Sequence, residues 1–99
     1  MKKIIKPRGA GKTTELIKLS HDTWTYILVT NAKRQKEVFS MARKIGIDIP
    51  NPVTVDDYMR TQFKGSYIKN ILIDDAEDVL KCFLSRVNID AITLTKEDE

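Results

Sequence analysis

Apolar runs and helical periods alternate along the chain from one end to the other, with no linker, repeat or low-complexity stretch between them. Residues 2–5 read as a short strand that leads into a glycine-containing loop. A helix over residues 12–19 follows, offering Leu16, Ile17 and Leu19 to a core. The run WTYILVT, residues 24–30, is apolar and rich in β-branched and aromatic side chains, the make-up of a strand buried on both faces. Asn31 is placed to cap a helix in which Val38, Phe39, Ala42 and Ile45 recur at helical spacing until Gly46 ends it. IPNPV forces an extended or turning path through Pro50 and Pro52. Thr54 and Asp57 resemble a capping box, opening a short helix with Val55, Tyr58 and Met59 inward and Gly65 near its end. Residues 71–73 form an apolar strand that ends in two carboxylates. The next helix carries Val79, Leu80, Phe83, Leu84 and Val87 at helical spacing, and a last strand is expected over residues 89–95 before a solvated KEDE tail.

Strands alternating with helices predict one α/β domain spanning residues 1–99: three layers, with a mostly parallel sheet of about four to five strands and helices on both faces. Ligands of such sheets bind outside the carboxyl ends of the strands. Both chemically unusual features, the glycine loop and the paired aspartates, fall at those ends.

Charge sharpens this picture. The 99 residues carry 17 basic and 14 acidic side chains, a net charge of +3 that is mild for a nucleic-acid binder. Residues 1–50 hold 11 basic and 4 acidic residues, net +7, and residues 51–99 hold 6 and 10, net −4. A polyanion-facing half with a cation-coordinating half gives that asymmetry, and so do two solvated faces. The same choice applies to Lys33, Arg34, Lys36, Arg43 and Lys44, which the helical period places on an outer face: a solvated surface, or a contact for DNA or RNA. The single cysteine, Cys82, cannot form an intramolecular disulfide and reads as a small apolar residue along a helix. MKKIIKPR has no apolar run long enough for a signal peptide, and no stretch approaches the roughly 20 apolar residues of a membrane span. A cytoplasmic protein without membrane contact is expected.

The loop itself carries the strongest chemistry. Holding a polyphosphate requires inward backbone N–H groups, little side-chain bulk, and a helix start whose positive dipole end lies just behind. Gly9, Ala10 and Gly11 supply the small residues. Lys12 can reach back toward the β and γ phosphates, Thr13 is placed to ligate Mg²⁺, and Thr14 completes the GKTT core. Lys6 stands where G-x-x-x-x-G-K-[ST] has its first glycine. The stretch RGAGKTT, Arg8 to Thr14, nevertheless closely resembles the Walker A variant of phage terminase large subunits, and the chain as a whole resembles a strongly truncated P-loop NTPase of the ASCE class, which includes terminases, helicases and RecA-like motors.

That resemblance implies ATP and Mg²⁺ as ligands. It implies Arg8 at the γ phosphate, and it reads ILIDD as Walker B, with Asp74 holding the Mg²⁺ and Asp75 orienting the attacking water. The family normally has glutamate at the Asp75 position. One methylene fewer withdraws the carboxylate by about 1.5 Å, and a misplacement of roughly 1 Å can cost on the order of 100-fold in rate. Glu77 is a nearby substitute, Asp78 a first-turn acid of the helix, and Thr93 and Thr95 stand where related ATPases carry a polar sensor. His21 reads as a polar residue at a helix C-terminus and Trp24 as packing at a strand edge. In the family topology the last strand separates the P-loop strand from the Walker B strand, leaving residues 2–5 on an edge that Lys2, Lys3 and Lys6 defend or that a protein partner or second copy covers.

Two functions follow as expectations. The first is an ATP-binding, weak or partner-dependent ATPase of phage origin acting in DNA metabolism, with Lys12, Arg8 and Asp75 as its catalytic residues. The second is a non-enzymatic interaction protein on a reduced ATPase fold, such as a phage inhibitor of a host defence system. A small-molecule kinase would need a lid and an acceptor pocket, which no segment supplies.

Overall fold

The computed structural model describes residues 11–63 and 70–84. Within them the order is α1 (Lys12–Thr23), β1 (Ile27–Val29), α2 (Ala32–Lys44), β2 (Val53–Thr54), α3 (Val55–Phe63), β3 (Leu72–Ile73) and α4 (Ala76–Phe83). The three strands form a parallel sheet in the order β2-β1-β3, with Leu28 opposite Val53 and Ile73, and Ile27 opposite Leu72. The strands expected at residues 2–5 and 89–95 lie outside the described residues, as do Arg8, Gly9, Ala10, Gly65, Val87, Thr93 and Thr95.

The central strand is buried along its whole length, as its unbroken Ile-Leu-Val sequence demands. Successive side chains of a strand point to opposite faces. Ile27 and Val29 accordingly join Leu16 and Ile17 of α1, Val38 and Ala42 of α2, and Ile49 in one buried cluster, whereas Leu28 meets Val55 of α3 and Val79 of α4 in another. Helices therefore cover both faces, α1 with α2 on one and α3 with α4 on the other.

Several boundaries are set by local chemistry. The first helix runs on to Thr23, and Trp24 stops it in the left-handed conformation at φ 49°. Ser20 Oγ donates to the Thr25 carbonyl at 2.6 Å, and the Thr25 N–H donates back to the Ser20 carbonyl at 3.1 Å. The expected strand over residues 24–30 is thus shortened at its start: Trp24, Thr25 and Tyr26 reverse the chain, leaving Trp24 61% exposed rather than packed at a strand edge. His21 is a polar residue of the last turn of α1, and its Nδ1–H donates to the Asp48 carbonyl at 2.6 Å.

Asn31 caps α2, its side-chain oxygen accepting from the Arg34 N–H at 2.9 Å. At the other end Gly46, at φ 73°, allows a double closure in which Ile47 N–H donates to the Ala42 carbonyl (2.9 Å) and Gly46 N–H to the Arg43 carbonyl (3.1 Å). That turn leaves Ile45 outside the core. Thr54 Oγ1 accepts from the Asp57 N–H at 3.1 Å, the expected start of α3. Directly before it, Val53 and Thr54 pair with β1 as a strand, which the two prolines obscured in the sequence. Of the residues expected inward on α3, Val55 is buried, Tyr58 half-buried and Met59 exposed. After β3, Val79 of α4 is buried, and Leu80 and Leu84 are exposed.

Candidate functional site at the strand ends

Three elements converge beyond the carboxyl ends of β1 and β3. Gly11, at φ 80° and ψ 23°, begins α1 without a side-chain cap, a conformation that favours glycine because a Cβ there strains the backbone. Lys12 is the first residue of the helix and is exposed; Thr13 and Thr14 are half-buried behind it. From β3 comes Asp74, whose backbone N–H extends the parallel ladder by donating to the Leu28 carbonyl at 3.0 Å.

Strand alternation decides what each aspartate does. Leu72 packs toward α1 and α2 and Ile71 toward α3 and α4. Asp74 lies two residues after Leu72, which turns its carboxylate to the α1–α2 side. There Thr13 Oγ1–H donates to Asp74 Oδ1 at 3.3 Å, joining residues 61 positions apart. Asp75 follows a different path. At φ 58° it is the N-cap of α4, with Oδ1 accepting from the Asp78 N–H at 3.3 Å. Asp78 is, as expected, in the first turn of that helix. Its carboxyl is held above the ordinary value of 3.8, first by hydrogen bonding with Asp75 and then by the like charge of that neighbour. Glu77, the substitute for Asp75, pairs instead with Lys81 at 3.3 Å on the exposed side of α4.

A third residue completes the cluster, and the helical period placed it elsewhere. Arg34, expected on the outer face of α2, turns inward. Its Nε donates to Asp74 Oδ2 at 2.7 Å, Nη2 to Thr13 Oγ1 at 2.9 Å and to Asp74 Oδ1 at 3.5 Å, and Nη1 to Glu37 Oε2 at 3.1 Å. The Asp74 side chain is only 8% exposed, so its charge is answered mainly by this guanidinium. The Arg34 pKa is raised accordingly, above all by its hydrogen bonds to Asp74. A signal for this was present: the first turn of α2 carries Lys33 and Arg34 and no acid, against the preference of a helix N-terminus for negative charge. A cation kept in that position needs an anion nearby, and Asp74 supplies it.

The oxygens of Thr13 and Asp74 converge on one positive group, and a hydroxyl with a carboxylate is an oxygen donor set that suits Mg²⁺, which needs few protein ligands beside water and phosphate. No cluster of three or more His, Cys, Asp or Glu side chains that could hold a metal ion occurs among the described residues. Cys82 lies on α4 and is exposed, 3.9 Å from the Thr30 carbonyl. An open groove of about 410 Å³ runs elsewhere, lined by Gln35, Lys36, Phe39, Ser40 and Arg43 of α2 together with Asn51. None of its residues belongs to the Thr13–Arg34–Asp74 cluster. Among the described residues no helix is long and apolar enough to cross a membrane. No family model, curated protein or solved structure matches the chain.

Proposed function

We propose that the chain is a minimal P-loop protein that binds ATP with Mg²⁺ at the start of α1. The observation that carries this reading is the 3.3 Å contact between Thr13 and Asp74. The motif assigns these two residues, from distant parts of the sequence, to one metal ion, and they meet at the ends of neighbouring elements. In this site the amides from Gly9 to Thr14, with Lys12 and Arg8, hold the triphosphate, and Thr13 and Asp74 hold the ion. Mg²⁺ supplies charge neutralisation at the β and γ oxygens. The fold of this reading is a P-loop fold of four to five strands that includes the described three.

Hydrolysis is slow in this reading, or awaits a partner's arginine, because the Asp75 carboxylate is engaged as the cap of α4. The same observation favours a second reading, in which the protein binds nucleotide as a structural ligand and acts through protein contacts, as an inhibitor from a phage would. DNA metabolism remains the leading context. In support stand the exposed Lys33, Lys36, Arg43 and Lys44 along α2, with the Arg43 guanidinium 5.5 Å from the centroid of the Phe39 ring, a basic and aromatic surface suited to nucleic acid.

The test is thermal. Mg-ATP at 100 times its Kd raises stability by about 2.7 kcal/mol through ligand linkage, and Lys12→Ala abolishes the corresponding rise in melting temperature. Absence of a rise in the unmodified protein would falsify nucleotide binding. Phosphate release with and without DNA then separates an enzyme from a passive binder.

A further inference from the structure

The motif accounts for Thr13 and Asp74, but it does not assign Arg34. Yet among the described residues Arg34 approaches both side chains most closely: 2.7 Å to Asp74 and 2.9 Å to Thr13, against 3.3 Å between the two themselves. Thr13 has one hydroxyl proton, which it donates to Asp74, so the oxygen lone pairs facing Arg34 are those left for a metal. On Asp74 both carboxylate oxygens accept from Arg34. A divalent ion and the guanidinium therefore compete for the same acceptor atoms, and their like charges oppose simultaneous occupancy.

We propose that Arg34 is the resident cation of the Thr13–Asp74 pair, and that a divalent metal arriving with nucleotide takes its place by exchange. The inference rests on the nucleotide-binding reading above. Arg34 is a positioning residue in this scheme. Before ligand arrives it holds the hydroxyl and the carboxylate together and keeps a largely buried charge compensated. When metal and nucleotide enter, the guanidinium releases Asp74 and Thr13 while Glu37, already 3.1 Å from Nη1, retains it on the rim. The exchange couples the metal to the nucleotide: the free ion, a single small cation without phosphate oxygens, displaces a forked donor poorly, whereas metal and triphosphate together satisfy each oxygen that the guanidinium leaves. No covalent bond is made or broken.

The side-chain ¹⁵N spectrum of the full chain tests this, with the Arg34 Nε–H resonance assigned by its disappearance in Arg34→Lys. In the free protein the 2.7 Å hydrogen bond to Asp74 should slow exchange of that proton with water. Saturating Mg²⁺ with a non-hydrolysable ATP analogue should accelerate its exchange at least tenfold, while the backbone amides of Gly11 to Thr14 shift and report that the site is filled. Amides that shift while the Nε–H keeps its protection overturn the exchange and leave nucleotide binding standing. Amides that do not shift overturn both. A second measurement uses Mn²⁺ as a paramagnetic probe without nucleotide: Arg34→Gln should bind the ion roughly tenfold more tightly than the unmodified chain, and Arg34→Lys by less. Equal or weaker binding by the folded Arg34→Gln variant counts against the proposal.

Discussion

Among the described residues, the two faces of the sheet are packed unequally. On the side of α1 and α2, seven buried residues form one cluster, with Phe39, Met41, Ile47 and Leu72 against it; on the side of α3 and α4 the described cluster holds Leu28, Val55 and Val79, bordered by Tyr58 and Ile71. The polar cluster lies on the well-packed face. Thr13 and Arg34 stand on its helices, and Asp74 follows a two-residue strand whose Ile73 is 45% exposed. The helices thus present a fixed pair of side chains, and the short β3 strand delivers a carboxylate to them on that same face. The geometry of the site is set by the firm helices, and the tie between Asp74 and Arg34 returns some of that firmness to β3.

The largest effect should come from the firm side. Ile17 is fully buried, and Ile17→Ala is expected to cost about 2–5 kcal/mol, much of the stability of a small domain. A like-for-like pair sharpens the contrast. Val38→Ala and Val79→Ala delete the same two methyl groups from opposite sides, and the cavity at Val38 has less freedom to collapse. Chemical denaturation should give about 2–3 kcal/mol for Val38→Ala and about 1–2 kcal/mol for Val79→Ala. A larger loss at Val79 would break the comparison.

Next in size is the tie between α2 and β3. Asp74→Ala leaves Arg34 with Glu37 and the Thr13 hydroxyl and should destabilise by about 1–3 kcal/mol, since a hydrogen-bonded, part-buried ion pair is removed. Arg34→Ala strands the Asp74 charge and should do at least as much harm. In a double-mutant cycle the two losses should fall short of additivity by about 1 kcal/mol or more. Additive losses would mean that Asp74 and Arg34 do not hold α2 and β3 together.

How far the sequence disclosed these faces follows from the physics of each signal. The Ile-Leu-Val strand, the Asn31 cap, the Gly46 stop and the Thr54 cap were legible because each depends on residues within a few positions of one another. That Thr13 and Asp74 meet across 61 positions was legible for another reason: the P-loop resemblance pairs these two residues. Three features were not readable from such patterns. Trp24 resembles a strand residue by composition, but the Ser20–Thr25 hydrogen bonds draw it into a helix stop. Val53 and Thr54 form a strand only through pairing with β1, a partnership no local propensity records. Arg34 belongs to the outer face by helical period, and only the carboxylate at the end of β3 turns it inward.

The helix starts test the contrast at smaller scale. Asn31 makes a 2.9 Å cap and also fixes the backbone of Arg34, whereas the Asp75 cap is 3.3 Å long on the thin side. Asn31→Ala should cost about 1 kcal/mol and loosen the Arg34–Asp74 pair. Asp75→Asn should stay within about 0.5 kcal/mol, because asparagine caps helices equally well and tolerates the left-handed backbone. It is therefore a clean probe of any part that Asp75 has in hydrolysis. If the order of the two losses were reversed, α2 would not be the better anchored helix.

The smallest effect concerns pH. The start of α4 gathers Asp75, Glu77 and Asp78, whereas the first turn of α2 has no acid. Hydrogen bonding with Asp75, and then its like charge, raises the Asp78 pKa above 3.8 in the folded chain, so the folded state takes up that proton at a higher pH than the unfolded state does. For a raised carboxyl the sign is fixed: its contribution to stability is fullest below 3.8 and falls away as pH rises through the folded value. Asp78 is almost fully exposed, and solvent screening keeps the whole effect under about 0.5 kcal/mol. Following the Asp78 side-chain carbonyl by NMR, the midpoint should lie above 3.8 and move back toward it in Asp75→Asn, where the like charge is gone and the cap is kept. A midpoint unmoved by that substitution would place the cause outside the Asp75–Asp78 pair, and would undo the contrast between an acid-crowded helix start on the thin side and a cation-bearing one on the firm side.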